Sequence, residues 1–350
     1  MSTAHIWIVS PASADANNGN WQSASRWAQF LRTRYRVTLS LQWPDADAAH
    51  VQAGDPALAS ALLSPLPPPD LLIALHARRS AASLDAWTRA HPDRPSILLL
   101  TGTDLYRDIH TDASAQRSLQ QANALVVLQA AGVRELPQPL QAKTRVIFQS
   151  AATLPADESA TATAATTNSP PHHQDICMIG HLREEKDPRT FMRAAALVQA
   201  PAARLVHIGG ALEPALAQAA QDTSASHANY RWLGAMSHPQ TRQRLESCRA
   251  MALTSRMEGG ANVIIEAVCA GVPVLASDIG GNRGMLGDDY AAYFPVGDAT
   301  ALARLIDRVI TDDSFYQQLL AQCRARAPLF LPATEQAALL ELVDNLLHKT

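Results

Sequence analysis

Two carboxylates and two cations in the C-terminal half carry the densest chemistry in the chain. The stretch Ser255-Arg256-Met257-Glu258-Gly259-Gly260-Ala261-Asn262-Val263-Ile264-Ile265-Glu266 follows an apolar run and opens a helical pattern, with seven residues between the two glutamates. Gly259 and Gly260 admit a backbone close enough to touch a ligand. The helix that follows points free N–H groups and the positive end of its dipole at an anion. Asn262 and Glu266 lie four apart and share one face of it. Upstream, Ile179-Gly180-His181-Leu182-Arg183-Glu184-Glu185-Lys186 ends another apolar run in a glycine turn with two cations behind it. Arg183 and Lys186 there suit a diphosphate leaving group, whose charge grows as the bond to it breaks.

Three loops in the N-terminal half add polar groups at the ends of apolar runs. They are Asn17-Asn18-Gly19-Asn20-Trp21, His76-Ala77-Arg78-Arg79-Ser80 and Thr101-Gly102-Thr103-Asp104-Leu105-Tyr106-Arg107. His76, Arg78 and Arg79 bring up to three positive groups to one strand end, and Thr103 and Arg107 add donors. Such a cluster could bind a small anion. Arg78 and Arg79 equally suit the solvated start of a helix. Asp104 could orient His76 or an acceptor, or it could cap a helix beginning there.

The elements that must position these groups alternate. Ile6–Val9, Val37–Leu41, Leu71–Leu75, Ile97–Leu100, Ala124–Leu128 and Arg145–Phe148 read as buried strands in the first half. Ile176–Ile179, Arg204–Ile208, Tyr230–Leu233, Ala250–Thr254, Pro273–Ser277 and Ala292–Phe294 do so in the second. Helical patterns separate them, among them Trp21–Thr33, Ala81–Ala90, Arg189–Gln199 and Ala299–Thr311. This alternation predicts parallel sheets covered on both faces. Residues 151–174, rich in Ala, Thr and Pro without periodicity, read as a linker or loose insertion. The expected organisation is an α/β chain of two Rossmann-like, doubly wound domains, 1–150 and 175–330, facing a central cleft, with a closing helix in 331–350. Ligands are expected at the carboxyl ends of the strands.

Length and composition agree. The chain has 350 residues, 47% of them hydrophobic and 17% charged, enough for two cores. A formal net charge of −3 leaves no basic excess for a nucleic-acid or membrane surface. Cys177, Cys248, Cys269 and Cys323 form no C-x-x-C pair and read as buried free thiols of a reducing cytoplasm. His172 and His173 read as a solvated pair, and neither a metal nor a cofactor is implied. The first strand is not followed by G-x-G-x-x-G, which argues against a dinucleotide enzyme. The longest apolar stretch, Val263–Leu275, is interrupted by Glu266, Gly271 and Pro273, so no membrane span is expected. The start of the chain reads as a strand rather than a secretory leader, consistent with a cytoplasmic protein. Nothing in the sequence sets an oligomeric state.

The C-terminal motifs resemble the GT-B glycosyltransferases, in particular the large retaining family that includes sucrose synthases and bacterial mannosyltransferases. Its E-x7-E element appears as Glu258…Glu266 and its G-x-x-R/K-x-x-K element as Gly180…Arg183…Lys186. The Gly271-Val272-Pro273-Val274 turn and the Gly280-Gly281 loop are also similar to that family. The resemblance implies a UDP-sugar substrate, with Arg183 and Lys186 on the diphosphate and Glu266 on the ribose hydroxyls. It implies that Glu258 and the backbone of Gly259, Gly260, Ala261, Asn262 and Val263 meet the donor sugar. Gly209-Gly210 and Leu233 to Met236 would line the nucleotide pocket. The N-terminal loops resemble the selenosugar synthases of selenoneine biosynthesis, a divergent GT-B group. That resemblance implies selenophosphate as acceptor, held by Gly19, Asn20, His76, Arg78, Arg79, Thr103, Asp104 and Arg107, and UDP-N-acetylglucosamine as donor. A conventional transferase acting on a hydroxyl, a UDP-sugar epimerase and a non-catalytic nucleotide-sugar binder are the alternatives.

Overall fold

The computed structural model describes residues 3–12, 19–43, 68–151 and 174–348. Most of the predicted linker, and Asn17, Asn18, His172 and His173, lie outside the described residues. The chain divides into two compact units. The first comprises Met1–Leu128, Gly132–Ile147 and Gln336–Thr350, and the second Gln129–Ala131 and Phe148–Glu335.

Each unit is built on a six-stranded, all-parallel sheet. In the first unit β1 (His5–Val9), β2 (Arg36–Ser40), β3 (Leu71–Leu75), β4 (Ser96–Leu99), β5 (Ala124–Val127) and β6 (Thr144–Val146) run in the order β2-β1-β3-β4-β5-β6. Continuous apolar runs form its central strands because both faces are covered. Along β3, Leu71, Ile73 and Leu75 pack with Trp27 of the helix Gly19–Leu31 and with Leu339 and Val343 of the last helix, Pro332–Leu347. Leu72 and Ala74 point the other way, toward Leu84 and Trp87 of the helix Ala81–Ala90. The last helix is tied down further by Asp344, whose carboxylate accepts hydrogen bonds from Arg34 and Tyr35.

In the second unit β7 (Asp175–Ile179), β8 (Arg204–Ile208), β9 (Tyr230–Trp232), β10 (Ala250–Leu253), β11 (Val274–Ser277) and β12 (Tyr293–Phe294) run in the order β12-β11-β10-β7-β8-β9. The strand order therefore reverses between β7 and β10, a doubly wound arrangement. Two helix starts in this unit are capped by aspartates. Asp298 accepts from the Ala301 N–H at 2.8 Å, and Asp312 from that of Phe315 at 3.0 Å.

Every predicted strand is present, with ends shifted by a residue or two, and the fold class is as expected. Two helices and one thiol differ. Gly19, Asn20 and Trp21 form the first turn of a helix rather than a loop. The helix expected over Arg189–Gln199 ends at Ala195. Asp307 accepts the N–H groups of Gln199 and Ala200 at 2.9 and 2.8 Å, giving that segment non-helical partners. Cys177, Cys248 and Cys323 are buried, whereas Cys269 is exposed at its helix end. No described helix is long and apolar enough to cross a membrane.

Leu339 is fully buried against the first sheet, so Leu339→Ala should cost about 2–5 kcal/mol. Five of the six tryptophans belong to the first unit. An unchanged fluorescence-detected unfolding midpoint would show that the last helix contributes little there.

Candidate functional site

The crevice outside the carboxyl ends of β7 and β10 is where an open parallel sheet binds ligands. Gly180 follows β7, and the segment Thr254–Glu258 follows β10. Two hydrogen bonds draw these exits together: the Arg256 N–H donates to Glu185 O at 2.9 Å, and Thr254 Oγ1 to Lys186 O at 2.7 Å. The result is an ion pair across the crevice, Lys186 Nζ to Glu258 Oε1 at 2.5 Å. Asp187 holds the turn in place. Its backbone is left-handed, with φ of 44°, and its buried carboxylate accepts from Thr190 Oγ1 at 2.8 Å. Arg183 has an extended backbone, and its exposed side chain has no ion-pair partner among the described residues.

The loop after β7 rests on β8. A Cβ on Gly209 would lie 1.8 Å from the Gly180 carbonyl oxygen, so glycine is the side chain that fits there. The same carbonyl accepts from His207 Nε2 at 3.1 Å, and the other His207 nitrogen meets Tyr230 Oη at 3.1 Å. Gly209 is bracketed in turn, its N–H donating to Gly234 O and its carbonyl accepting from Trp232 Nε1 at 2.9 Å. Gly210, Leu233 and Met236 flank this bracket, half-buried.

The helix Asn262–Cys269 buries Ile264, Ile265, Ala267 and Val268 and leaves Asn262, Val263 and Glu266 half-buried on its other side. Ala261 precedes it in extended conformation. Glu266 Oε1 meets His238 Nε2 at 2.9 Å. The Glu258 carbonyl is packed from below by Gly281, where a Cβ would sit 1.9 Å from it. The neighbouring Asn282 donates through Nδ2 to Ser277 O at 2.8 Å.

A second cluster lies at the carboxyl end of β3 in the first unit. His76 continues the ladder by donating its N–H to Leu99 O, then turns the chain with φ of 71°, a left-handed conformation that costs about 1–2 kcal/mol for a residue with a Cβ. Its ring is 2% exposed. Burial pushes the imidazole below its ordinary value; Asp104 pulls it back up and Arg79 presses it further down. His76 is therefore a neutral ring near pH 7, and the expected trio of positive groups contracts to arginines. Asp104 is sealed from solvent, its carboxylate accepting from the N–H groups of Ala77 and Thr101 and from Thr101 Oγ1 at 2.7–2.9 Å. It braces two loops and has no surface for an acceptor.

Asp104 also begins a π-helical turn, Asp104–Asp108, closed by the Ile109 N–H on Asp104 O. Asp108 at its end accepts from Arg78 Nε at 2.8 Å and from Arg107 Nε at 3.2 Å. Burial alone would raise this carboxyl; the two guanidiniums outweigh it and hold it below the ordinary range. Thr103 precedes the turn, half-buried, and Arg79 is exposed. Gly19 and Asn20 open their helix, Gly19 exposed with free space where a Cβ would stand.

His207, His238, Asp187 and Asp108 were not singled out by sequence. For Asp108 a signal existed, a second aspartate four residues after Asp104. The others meet their partners across long sequence separations or act through backbone, and leave no local pattern.

The sequence profile described as Glycosyl transferases group 1 matches residues 161–328, the greater part of the second unit. No curated protein sequence matches the chain. Among solved structures, Anabaena Alr3699/HepE, captured with UDP and glucose, superposes with a TM-score of 0.72 at 17% identity over 98% of this chain and 100% of that one. The sucrose-phosphate synthase of Thermosynechococcus elongatus gives 0.73 at 17% identity, covering 99% and 100%. A TarM variant of S. aureus, bound to UDP and α-GlcNAc-glycerol among other ligands, gives 0.60 at 17% identity over 79% of this chain and 55% of its own. The chain has the GT-B fold.

Burial pushes His207 from an ordinary 6.5 down to about 4. The folded unit holds the neutral ring, so the unfolded chain binds the proton first as pH falls. This contribution is whole above about pH 6.5 and drains by about 3 kcal/mol as pH falls to about 4. Denaturant melts at pH 7 and pH 4.5 measure it. His207→Gln should lose less stability over that interval, and an equal loss would contradict the assignment.

Proposed function

We propose that the chain is a glycosyltransferase that takes a sugar from a UDP-sugar, UDP-N-acetylglucosamine by preference, and passes it to selenophosphate. The observation that carries the donor half is the Lys186–Glu258 pair, beside the exposed Arg183, at the β7/β10 switch point of the unit matching the glycosyl transferase profile. In this reading Arg183 and Lys186 neutralise the departing diphosphate. Glu266 takes the ribose hydroxyls. Glu258, with the backbone of Gly259 to Val263, meets the sugar, and Gly180, Gly209, Leu233 and Met236 line the nucleoside. HepE captured with UDP and glucose, and TarM captured with UDP and α-GlcNAc-glycerol, are precedents for such ligands on this fold.

The acceptor half rests on the cluster after β3 and on the loop resemblance. A tight set of guanidiniums around one buried carboxylate suits a small oxyanion better than a sugar chain. Selenium of selenophosphate attacks the anomeric carbon, and the bond from that carbon to the β-phosphate oxygen breaks, its electron pair leaving on UDP. Water then adds to phosphorus and the P–Se bond breaks, giving inorganic phosphate and a 1-selenosugar, the type of product used in selenoneine biosynthesis. The nucleophile is already anionic, so placement and charge neutralisation supply most of the rate. Neutral, enclosed His76 then orients rather than deprotonates.

The test is incubation of the protein with UDP-N-acetylglucosamine and freshly generated selenophosphate, following UDP release and the selenium isotope pattern of the product by mass spectrometry. A selenosugar that falls about a hundredfold or more in Lys186→Ala is expected. UDP release only with hydroxyl acceptors would move the assignment to a conventional transferase. His76→Gln should keep turnover within about tenfold of wild type, since a lost proton transfer would cost about a hundredfold or more; a larger loss, with folding intact, would count against a purely orienting ring.

A further inference from the structure

Asp108 has the geometry of a part that prepares a binding surface rather than contributing to it. Its carboxylate is 6% exposed, yet it engages two arginines whose side chains are 41% and 59% exposed. Arg78 reaches Oδ2 and Arg107 reaches Oδ1, each through Nε. A guanidinium bonded at Nε keeps both Nη groups for another partner, and its plane is set by that bond. Two long, entropically costly side chains are thus aimed by one buried group. The carboxylate is itself fixed, because the π-helical turn that carries it starts at Asp104, pinned by Ala77 and Thr101.

A second, independent feature sits beside it. His76 Nδ1 accepts the Arg79 N–H at 3.4 Å, which assigns the ring proton to Nε2. Nε2 is buried, has no hydrogen-bond partner among the described residues and lies 3.9 Å from Asp108 Oδ2. A buried donor without a partner is a rare and costly feature, and in native proteins it usually answers to a ligand or a water. Asp112, the other carboxylate near Arg78, is engaged as the cap of the helix Ala113–Gln121.

We propose that Asp108 is a positioning residue that makes Arg78 and Arg107 a rigid two-guanidinium clamp for a tetrahedral oxyanion of the phosphate type, a role that rests on the acceptor reading above. The charges make this role separable from simple attraction. Arg78, Arg79 and Arg107 face the carboxylates Asp104, Asp108 and Asp112, and Asp108 is the one that touches the clamp arginines Arg78 and Arg107 directly, so it reduces the positive charge offered to an anion. Were charge the whole effect, Asp108→Asn would tighten anion binding. A positioning role predicts the opposite sign, because the asparagine amide holds one guanidinium at most.

The experiment titrates inorganic phosphate into the full chain saturated with UDP, so that the cations of the second unit are already engaged, using calorimetry or phosphorus NMR. Asp108→Asn should weaken phosphate binding by about tenfold, as should Arg107→Lys, which keeps the charge and loses the fork. UDP affinity should be unchanged in both. In turnover, KM for the acceptor should rise with kcat nearly constant. Arg107 is on the surface, so its variant remains informative if Asp108→Asn fails to fold. Equal or tighter phosphate binding in Asp108→Asn, or full affinity in Arg107→Lys, overturns the clamp. If the wild type binds phosphate, and Arg78→Ala abolishes this, while Asp108→Asn tightens it, the acceptor site stands and the role of Asp108 falls. If the wild type binds no phosphate, both fall.

Discussion

The carbonyl of Gly180 is the fixed point of the second unit. It ends β7 at the switch point, accepts the buried His207 ring and leaves no room for a side chain on Gly209. A charged loop at a strand end would ordinarily be mobile, since its backbone groups face water. Here the loop's first residue is clamped from two directions, and its last residues are clamped by Thr254 and Arg256, just beyond the neighbouring strand β10. Lys186 is therefore delivered to Glu258 by the backbone, and the long lysine side chain has little freedom left to lose.

The two units handle charge differently. In the second, Lys186 meets Glu258 directly at the crevice, and His238 Nε2 is hydrogen-bonded to Glu266. In the first, a sealed carboxylate and a neutral ring lie beneath a surface of guanidiniums. A direct pair must be broken or shared when a ligand arrives. A carboxylate behind the arginines can stay where it is.

Most of the fold is legible in the sequence because parallel strands covered on both faces must be continuously apolar, and the runs around Leu71, Leu98 and Met251 have no other use. The second-unit cluster is legible for a related reason. Its groups sit at strand ends within short motifs, and the topology brings together Gly180–Lys186 and Ser255–Glu266. What stays hidden depends on contacts between distant residues. Nothing near His207 in the chain announces that it supports Gly180, and nothing near Asp307 announces that it accepts the N–H groups of Gln199 and Ala200. Polar groups that act on backbone leave no periodic trace. The burial of His76 is hidden for the same reason, since Asp104 and Asp108, whose carboxylates lie near its ring, come from another loop of the chain.

The second unit is almost one uninterrupted length of chain, whereas the first borrows the helix Pro332–Leu347 from the far end. On a ribosome these two halves have different waiting times. Residues 3–147 emerge early, and the helix Gly19–Leu31 covers part of the sheet face that holds Ile73, but the part that packs with Leu339 and Val343 waits until residues 336–347 have been made. The second unit can close first, and the unit synthesised first must complete last. Part of an apolar sheet face is thus left open for the time that the second unit takes to be translated.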